Sequence, residues 1–311
     1  MTPTPFPVIC GPTASGKTDL AVAVALTLGE RGTAAEIISA DAFQVYRELD
    51  IASAKPTAEE RKGVPHHLID VVDVEERFTV AQWLGLAEAA IDDIRGRGAV
   101  PIVVGGTHLY IKALLDGLFE GPGADEAIRA ELAAMDAAAR RAELERVDPE
   151  AAQRIHANDD RRTIRALEVF RLTGAPISEL QKQWDREQPN RSERRLVILD
   201  WDVPELNSRI NARVKRMVAD GLVAETRALA DRLGPTAREA LGTKQILRHL
   251  GGECALDEAI EQTKIKTRRF AKNQRTWMRR LAATPGARIV RPADRPLLDI
   301  AQPIASSIFT G

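Results

Sequence analysis

The segment GPTASGKT, residues 11–18, has the spacing of a phosphate-binding loop, G-x-x-x-x-G-K-[ST]. Gly11 and Gly16 allow backbone conformations that aim N–H groups into a concavity, and a following helix adds the positive end of its dipole. Lys17 would reach the terminal phosphate, and the Thr18 hydroxyl would bind a Mg²⁺ ion that bridges the phosphate oxygens. The segment predicts an oxyanion site and leaves the phosphorylated ligand open.

Asp41 is the carboxylate best placed to act with this loop, because it follows the apolar run AEIISA. Ligands of an open parallel sheet bind outside the carboxyl ends of its strands, so Asp41, Thr107 and the loop should converge. A kinase would carry a Mg²⁺-binding acid after a further core strand. PIVVGG ends without one, and Asp200 after LVIL fits that acid or a turn equally well. Asp41 could also hold the acceptor of a nucleotide kinase, or simply close an Asx turn.

Two basic segments carry the charge that RNA binding requires. Residues 264–280 contain eight basic residues and no acid. In a chain of net charge −1 this run predicts contacts with phosphate groups, for which Lys272 and Arg275 are candidates, against the plainer alternative of a solvated helix face. In RRTIR, 161–165, the first and last arginines share a helix face that could meet RNA or pair with neighbouring acids.

The composition is that of a globular enzyme, with 311 residues, 44% hydrophobic and 29% charged. Two cysteines, Cys10 and Cys254, are too few for a disulfide framework or a four-ligand zinc site, and the adjacent His66 and His67 lack a third ligand nearby. No signal peptide and no run long enough to span a membrane is visible. We expect a cytoplasmic monomer with no membrane partner.

Alternating apolar runs and helical patterns predict the fold class α/β, with a P-loop NTPase-like parallel sheet flanked by helices. The strands are predicted at 6–10, 35–41, 99–106 and 194–202, with a last edge strand at 287–292. Helices are predicted after the phosphate loop, at 80–98, and over 204–234, 237–250 and 256–282.

The pattern changes at the Gly/Pro-rich stretch near Gly117, after which the chain is helical with no apolar strand run until about residue 190. We therefore predict an α/β core with C-terminal helices, formed by 1–117 and 191–311, and an inserted helical domain at 118–190.

Six segments, taken together, resemble the tRNA dimethylallyltransferase (tRNA isopentenyltransferase) family. They occur in family order from about residue 7 to residue 281 and read GPTASGKTDLA, EIISADAFQVYRELDIASAKP, GVPHHLIDV, VVGGTHLYIKALLDGL, NDDRRTIRALEVFRLTGAPISEL and TRRFAKNQRTWMRR. One such segment would be weak evidence, whereas six in order are highly specific.

The resemblance implies transfer of a dimethylallyl group from dimethylallyl diphosphate to N6 of adenosine 37 in tRNA, with Mg²⁺ as cofactor and diphosphate as product. Asp41 matches the family's general base, and Thr107 matches a threonine near the adenine. The diphosphate-binding positions correspond to Gly11, Thr13, Ala14, Ser15, Gly16, Lys17, Thr18 and Arg213. Contacts to the tRNA anticodon stem-loop are implied for Asp41, Ala42, Phe43 and Gln44, and for Arg161, Arg162, Thr163, Ile164 and Arg165 of the inserted domain.

The chain departs from the family pattern at several places. DAFQ stands for the usual DSMQ, IASAKP for IGTAKP and LGTKQ for IGYKE, and His108 occupies a position that is often glycine, which leaves the shape of the base pocket open. Three other functions remain as alternatives: prenylation of free adenine nucleotides, an ATP-binding or kinase module, and a non-catalytic RNA-binding protein.

Overall fold

The computed structural model describes residues 4–118, 121–184, 193–292 and 295–309. The chain divides into two compact units, one formed by 1–115 and 192–311 and the other by 116–191. The predicted insertion, 118–190, lies within the second unit.

The first unit is built on a six-stranded sheet in which every pairing between neighbouring strands is parallel. The parallel sheet predicted from the sequence is therefore confirmed. Its strands are β1 (Phe6–Cys10), β2 (Ala35–Ala40), β3 (His66–His67), β4 (Val100–Gly105), β5 (Arg194–Leu199) and β6 (Arg288–Val290), in the order β3-β2-β4-β1-β5-β6.

β1, β2 and β4 are buried along their whole length, which is why they read as continuous apolar runs in the sequence. β6 pairs with β5 at the sheet edge, as predicted. β3 was not predicted, because two histidines give no apolar signal.

Within the described residues the chain forms fourteen α-helices. They are α1 (Lys17–Glu30), α2 (Ala58–Arg61), α3 (Val80–Gly96), α4 (His108–Asp116), α5 (Glu126–Ala134), α6 (Ala137–Val147), α7 (Pro149–Arg154), α8 (Asp160–Thr173), α9 (Ile177–Trp184), α10 (Val203–Ala219), α11 (Leu222–Leu229), α12 (Thr243–Leu250), α13 (Leu256–Leu281) and α14 (Leu297–Ser306). None of the helices in these parts of the chain is long and apolar enough to cross a membrane.

The C-terminal helices match the sequence predictions in part. The long helix expected over 256–282 is present as α13. The single helix expected over 204–234 is instead two helices, since Gly221 adopts a φ of 109° at the start of α11 and so interrupts the helical backbone. α14 was not predicted and contains Pro303.

The second unit packs its helices around an apolar core of its own. Leu132, Leu144 and Leu167 are fully buried at its centre. No strand lies among the described residues of this unit, in agreement with a helical insertion.

Candidate active site

The phosphate loop connects β1 to α1 and has the predicted open curvature. Gly16 begins α1 with a φ of 80°, and Ala14 also has a positive φ of 63°. A larger residue at position 11 would force neighbouring atoms to move, because its Cβ would lie 2.6 Å from Ser15 Oγ. These conformations form the concave backbone that an anion requires at a helix N-terminus.

Two side chains from the C-terminal half of the chain donate hydrogen bonds to backbone carbonyl groups of this loop. Trp201 Nε1 donates to the Ser15 carbonyl at 3.0 Å, and Arg209 Nε donates to the Ala14 carbonyl at 2.8 Å. The Arg209 guanidinium lies 4.4 Å from the centre of the Trp201 ring, a cation–π contact. Neither residue was predicted from sequence, because each lies more than 180 positions from its partner.

Lys17 has a pKa lowered to about 8. Burial is the main cause, because it disfavours the charged ammonium, and the positive charge of Arg213 acts in the same direction. Asp41 opposes the shift. Burial also lowers the pKa of Arg213 from its usual range. The site therefore concentrates two cations whose charge is poorly compensated, as expected where an anion binds.

Asp41 and Thr107 meet because β2 and β4 are neighbours and both end at this edge of the sheet. Thr107 Oγ1 accepts the Ala42 N–H at 3.0 Å. Asp41 Oδ1 accepts the Phe43 N–H at 2.9 Å, so the Asx turn considered as an alternative is present. Within the described residues no hydrogen bond involves Asp41 Oδ2, which leaves that oxygen for a ligand.

A cavity of about 120 Å³ is lined by several of the residues predicted to bind the diphosphate and the adenine. Its polar lining includes Thr13, Lys17, Thr18, Asp41, Gln44, Thr107 and Arg213, and its apolar lining includes Phe43, Ile210, Val214, Met217, Leu241 and Phe270. A cleft of about 570 Å³ is also lined by the loop, from Ala14 to Asp19, and by Arg209, Arg213 and Arg216. The phosphate loop thus borders both spaces.

The segment after Asp41 is fixed mainly by contacts within the protein. Gln44 Oε1 accepts from Ser39 Oγ at 2.8 Å, and its Nε2 donates to the Ala54 carbonyl at 3.2 Å. Gln44 is therefore held in place by two hydrogen bonds within the protein.

Glu225 of α11 holds the next part of this segment. Its carboxylate accepts the N–H groups of Asp50, Ile51 and Ala52 at 2.9, 2.6 and 2.9 Å. Sequence reasoning missed this residue, since no local pattern marks a carboxylate that binds backbone 173–175 positions away.

The basic segment of α13 is exposed on one side only. Its exposed cations are Lys266, Arg269, Lys272, Arg279 and Arg280. Lys264 and Arg268 pair with Glu261. The side chain of Arg275 is only 15% exposed and lies 3.4 Å from Asp200 Oδ1, so it lacks the exposure that the predicted RNA contact needs.

The arginine segment of α8 is likewise only partly available. Arg161 and Arg162 are exposed, and Arg162 lies 3.3 Å from Asp159. Arg165 instead forms an ion pair of 2.6 Å with buried Glu168 and donates to the Pro122 carbonyl. The two residues between the arginines face the helical core: Thr163 is buried and Ile164 packs against the apolar cluster. Thr163 is therefore buried, and Arg165 is held by contacts within the protein.

Comparisons with known proteins agree with this arrangement. The family model described as IPP transferase matches residues 44–281. A tRNA dimethylallyltransferase of Thermobifida fusca is 48% identical over 279 residues, which cover 88% of this chain and 86% of that protein. The crystal structure of a full-length tRNA isopentenylpyrophosphate transferase from Bacillus halodurans superposes with a TM-score of 0.71 at 37% identity, covering 99% of this chain and 97% of that one. A eukaryotic dimethylallyltransferase whose structures show it acting on tRNA gives a TM-score of 0.79 at 28% identity, over 93% of this chain and 74% of that one.

Proposed function

Because this chain belongs to the IPP transferase family, we propose that it transfers a dimethylallyl group from dimethylallyl diphosphate to N6 of adenosine 37 in tRNA. The observation that carries the proposal is the single cavity lined by Lys17, Asp41, Thr107 and Arg213. An anion cradle and a carboxylate in one cavity are what an alkyl transfer from diphosphate to an amine requires. We also propose that the protein is cytoplasmic and monomeric.

The phosphate loop would hold the diphosphate and stabilise the charge that it gains as the C–O bond breaks. Lys17, Arg213 and the loop N–H groups supply positive charge and hydrogen bonds at that point. Ser15 Oγ is buried, and within the described residues it has no hydrogen-bond partner. A phosphate oxygen would satisfy this hydroxyl, which supports an oxyanion as the ligand.

Asp41 would accept the proton of the adenine N6 amine as the new N–C bond forms. This amine is a weak nucleophile because its lone pair is delocalised into the ring, so a carboxylate within hydrogen-bond reach assists the attack. The Asx turn fixes Asp41 through Oδ1. Thr107 steadies the same turn through the Ala42 N–H. The adenine would have to leave its stack to reach this cavity.

Mg²⁺ is proposed as the cofactor, held through the Thr18 hydroxyl. Thr18 lines the same cavity as Lys17, and Mg²⁺ binds phosphate oxygens with few protein ligands. Groups of three or more His, Cys, Asp or Glu residues able to hold a metal are absent from the part of the chain that the structure describes, so most remaining ligands would be diphosphate oxygens and water. The ion would supply further stabilisation of the leaving-group charge.

The tRNA would contact exposed cations in each unit. α13 offers Lys266, Arg269, Lys272 and Arg280, and α8 offers Arg161 and Arg162. A kinase is disfavoured because β4 ends without an acid and because Asp200, the other candidate, is paired with Arg275.

The test is incubation of the purified protein with dimethylallyl diphosphate and unmodified tRNA, followed by mass spectrometry of the nucleosides. We expect prenylated adenosine from a transcript with adenosine at position 37 and none from the matched transcript with guanosine there. AMP in place of tRNA tests prenylation of free nucleotides. Turnover of AMP that exceeds turnover of tRNA, or no product with either, would overturn the proposal.

A further inference from the structure

Gln274 of α13 joins two loops of the cavity from inside the protein. Its side-chain oxygen accepts the Thr13 N–H at 2.9 Å, and its side-chain nitrogen donates to the Gly106 carbonyl at 2.8 Å. The residue is only 4% exposed. One amide group therefore links the phosphate loop after β1 to the turn after β4.

The surroundings of Gln274 are shaped to admit this amide. A Cβ at Gly106 would lie 2.6 Å from Gln274 Nε2, so the glycine leaves the space that the amide occupies. The two bonds also require opposite chemistry, an acceptor toward Thr13 and a donor toward Gly106. Glutamine meets both demands at once, whereas ionised glutamate has no donor and methionine has neither strong group.

The two loops that Gln274 joins carry opposite halves of the proposed reaction. Thr13 belongs to the diphosphate cradle, and its N–H is already used by Gln274. Gly106 precedes Thr107, which binds the Ala42 N–H beside Asp41. The turn after β4 thus supports the segment that begins at Asp41, so the two loops border the places of the leaving diphosphate and of the attacking amine.

We propose that Gln274 is a positioning residue that fixes the distance between the diphosphate cradle and the Asp41–Thr107 pair, a role that rests on the function proposed above. In the transfer, the amine nitrogen bonds to the allylic carbon while that carbon's bond to oxygen breaks. The electron pair of that bond leaves with the diphosphate, and the amine proton passes to Asp41. A misplacement of about 1 Å between such reacting groups lowers the rate by about 10²-fold.

The first experiment compares Gln274→Met with Gln302→Met, which makes the same chemical change at an exposed position of α14. At temperatures well below the unfolding of either variant, Gln274→Met should lower kcat with saturating tRNA and dimethylallyl diphosphate by about 10²-fold. Its Kd for tRNA should stay within about twofold of the wild type, since no RNA-facing cation is changed. Gln302→Met should match the wild type in both quantities.

The second experiment uses Gln274→Glu, which yields a signature that a packing defect does not. Once protonated, the introduced carboxyl group can accept from Thr13 and donate to Gly106, and once ionised it cannot donate. The ratio of its kcat to the wild-type kcat should therefore rise as pH falls from about 7 to about 5.5, below the pKa of about 8 of Lys17. The ionisable groups that line this cavity are Lys17, Asp41, His66 and Arg213. Lys17 also interacts electrostatically with buried Cys10.

Amide hydrogen exchange gives a direct structural readout. The Thr13 N–H should be protected in the wild type and exchange faster in Gln274→Met, while exchange of the β1 amides stays unchanged. An unchanged kcat in Gln274→Met, or a kcat ratio for Gln274→Glu that does not vary with pH, would overturn the positioning role. The proposed function would still stand if the wild-type protein transferred the dimethylallyl group to tRNA. A wild-type protein without transfer would refute the proposed function itself.

Discussion

Two neighbouring cations of α13 should behave differently, although the sequence gives them equal standing. Lys272 is exposed, whereas Arg275 is 15% exposed and paired with Asp200. Lys272→Ala should weaken tRNA binding and flatten its salt dependence. Arg275→Ala should instead lower stability and leave the salt dependence unchanged, because its guanidinium is committed to a protein carboxylate.

The magnitudes follow from these two environments. Loss of one phosphate contact reduces the slope of log Kobs against log[salt] by about 0.7–0.9. Between 50 and 200 mM salt, a fourfold change, the affinity penalty of Lys272→Ala should therefore shrink by about threefold. Arg275→Ala leaves Asp200 with Arg291 at 3.8 Å, and we expect a loss of about 1–2 kcal/mol, between an exposed and a fully buried pair.

The assay is filter binding of tRNA to each variant over that salt range, together with urea denaturation. Each variant acts as the control for the other, since both remove a positive charge from one helix within a single turn. Equal slopes for Lys272→Ala and the wild type would show that this side of α13 is a solvated face. A flattened slope for Arg275→Ala would show that the Asp200 pair opens to meet RNA.

Three further predictions concern the cavity and its supports. Asp41→Asn should lower single-turnover transfer by about 10²–10⁴-fold while tRNA affinity stays near the wild type; a collapse of affinity with the rate preserved would contradict a general base. Because Lys17 is charged below its pKa of about 8, kcat/KM for dimethylallyl diphosphate should fall as pH rises through that value. Arg213→Gln should move this fall to higher pH, because it removes a positive charge that lowers the pKa of Lys17. A pH–rate profile whose fall occurs at the same pH in Arg213→Gln and the wild type would contradict this prediction. Glu225→Gln should lower the free energy of unfolding by about 1–3 kcal/mol in urea titrations, because a charged acceptor of three N–H groups is lost. Glu239→Gln, in an exposed pair with Lys244, should cost no more than about 1 kcal/mol, and equal losses would refute the contrast.

The sheet and the reacting groups were predictable because their signals are local. Each buried parallel strand is a short apolar run, and the phosphate loop follows its strand directly. The convergence of Asp41 and Thr107 follows from a general rule of parallel sheets, without knowledge of which strands are neighbours. In the structure β2 pairs with β4, and Thr107 accepts a hydrogen bond from the N–H of Ala42, the residue after Asp41.

The supports of the site were not predictable because their signals are not local. Trp201, Arg209, Glu225 and Gln274 each bind the backbone of a loop more than 160 positions away. Trp201 lies between β5 and α10, and the other three lie on α10, α11 and α13, so each contact depends on how these parts of the chain pack against the sheet edge. A single polar side chain in a helix carries no periodic pattern that reports which loop it will meet.

α13 illustrates why counting basic residues misjudged Arg275. Its buried positions are Ala259, Thr263, Thr267, Ala271, Gln274 and Met278, spaced by three or four residues as one side of a helix requires. Arg275 is one residue beyond Gln274, at the border of that buried side, where Asp200 is within reach. Arg269, Lys272 and Arg280 lie about a third to a half of a turn away from the centre of the buried side and so face outward. α13 would thus bind RNA through its exposed side and holds the phosphate loop through Gln274 on its buried side. The helical period decides on which of the two sides a residue lies.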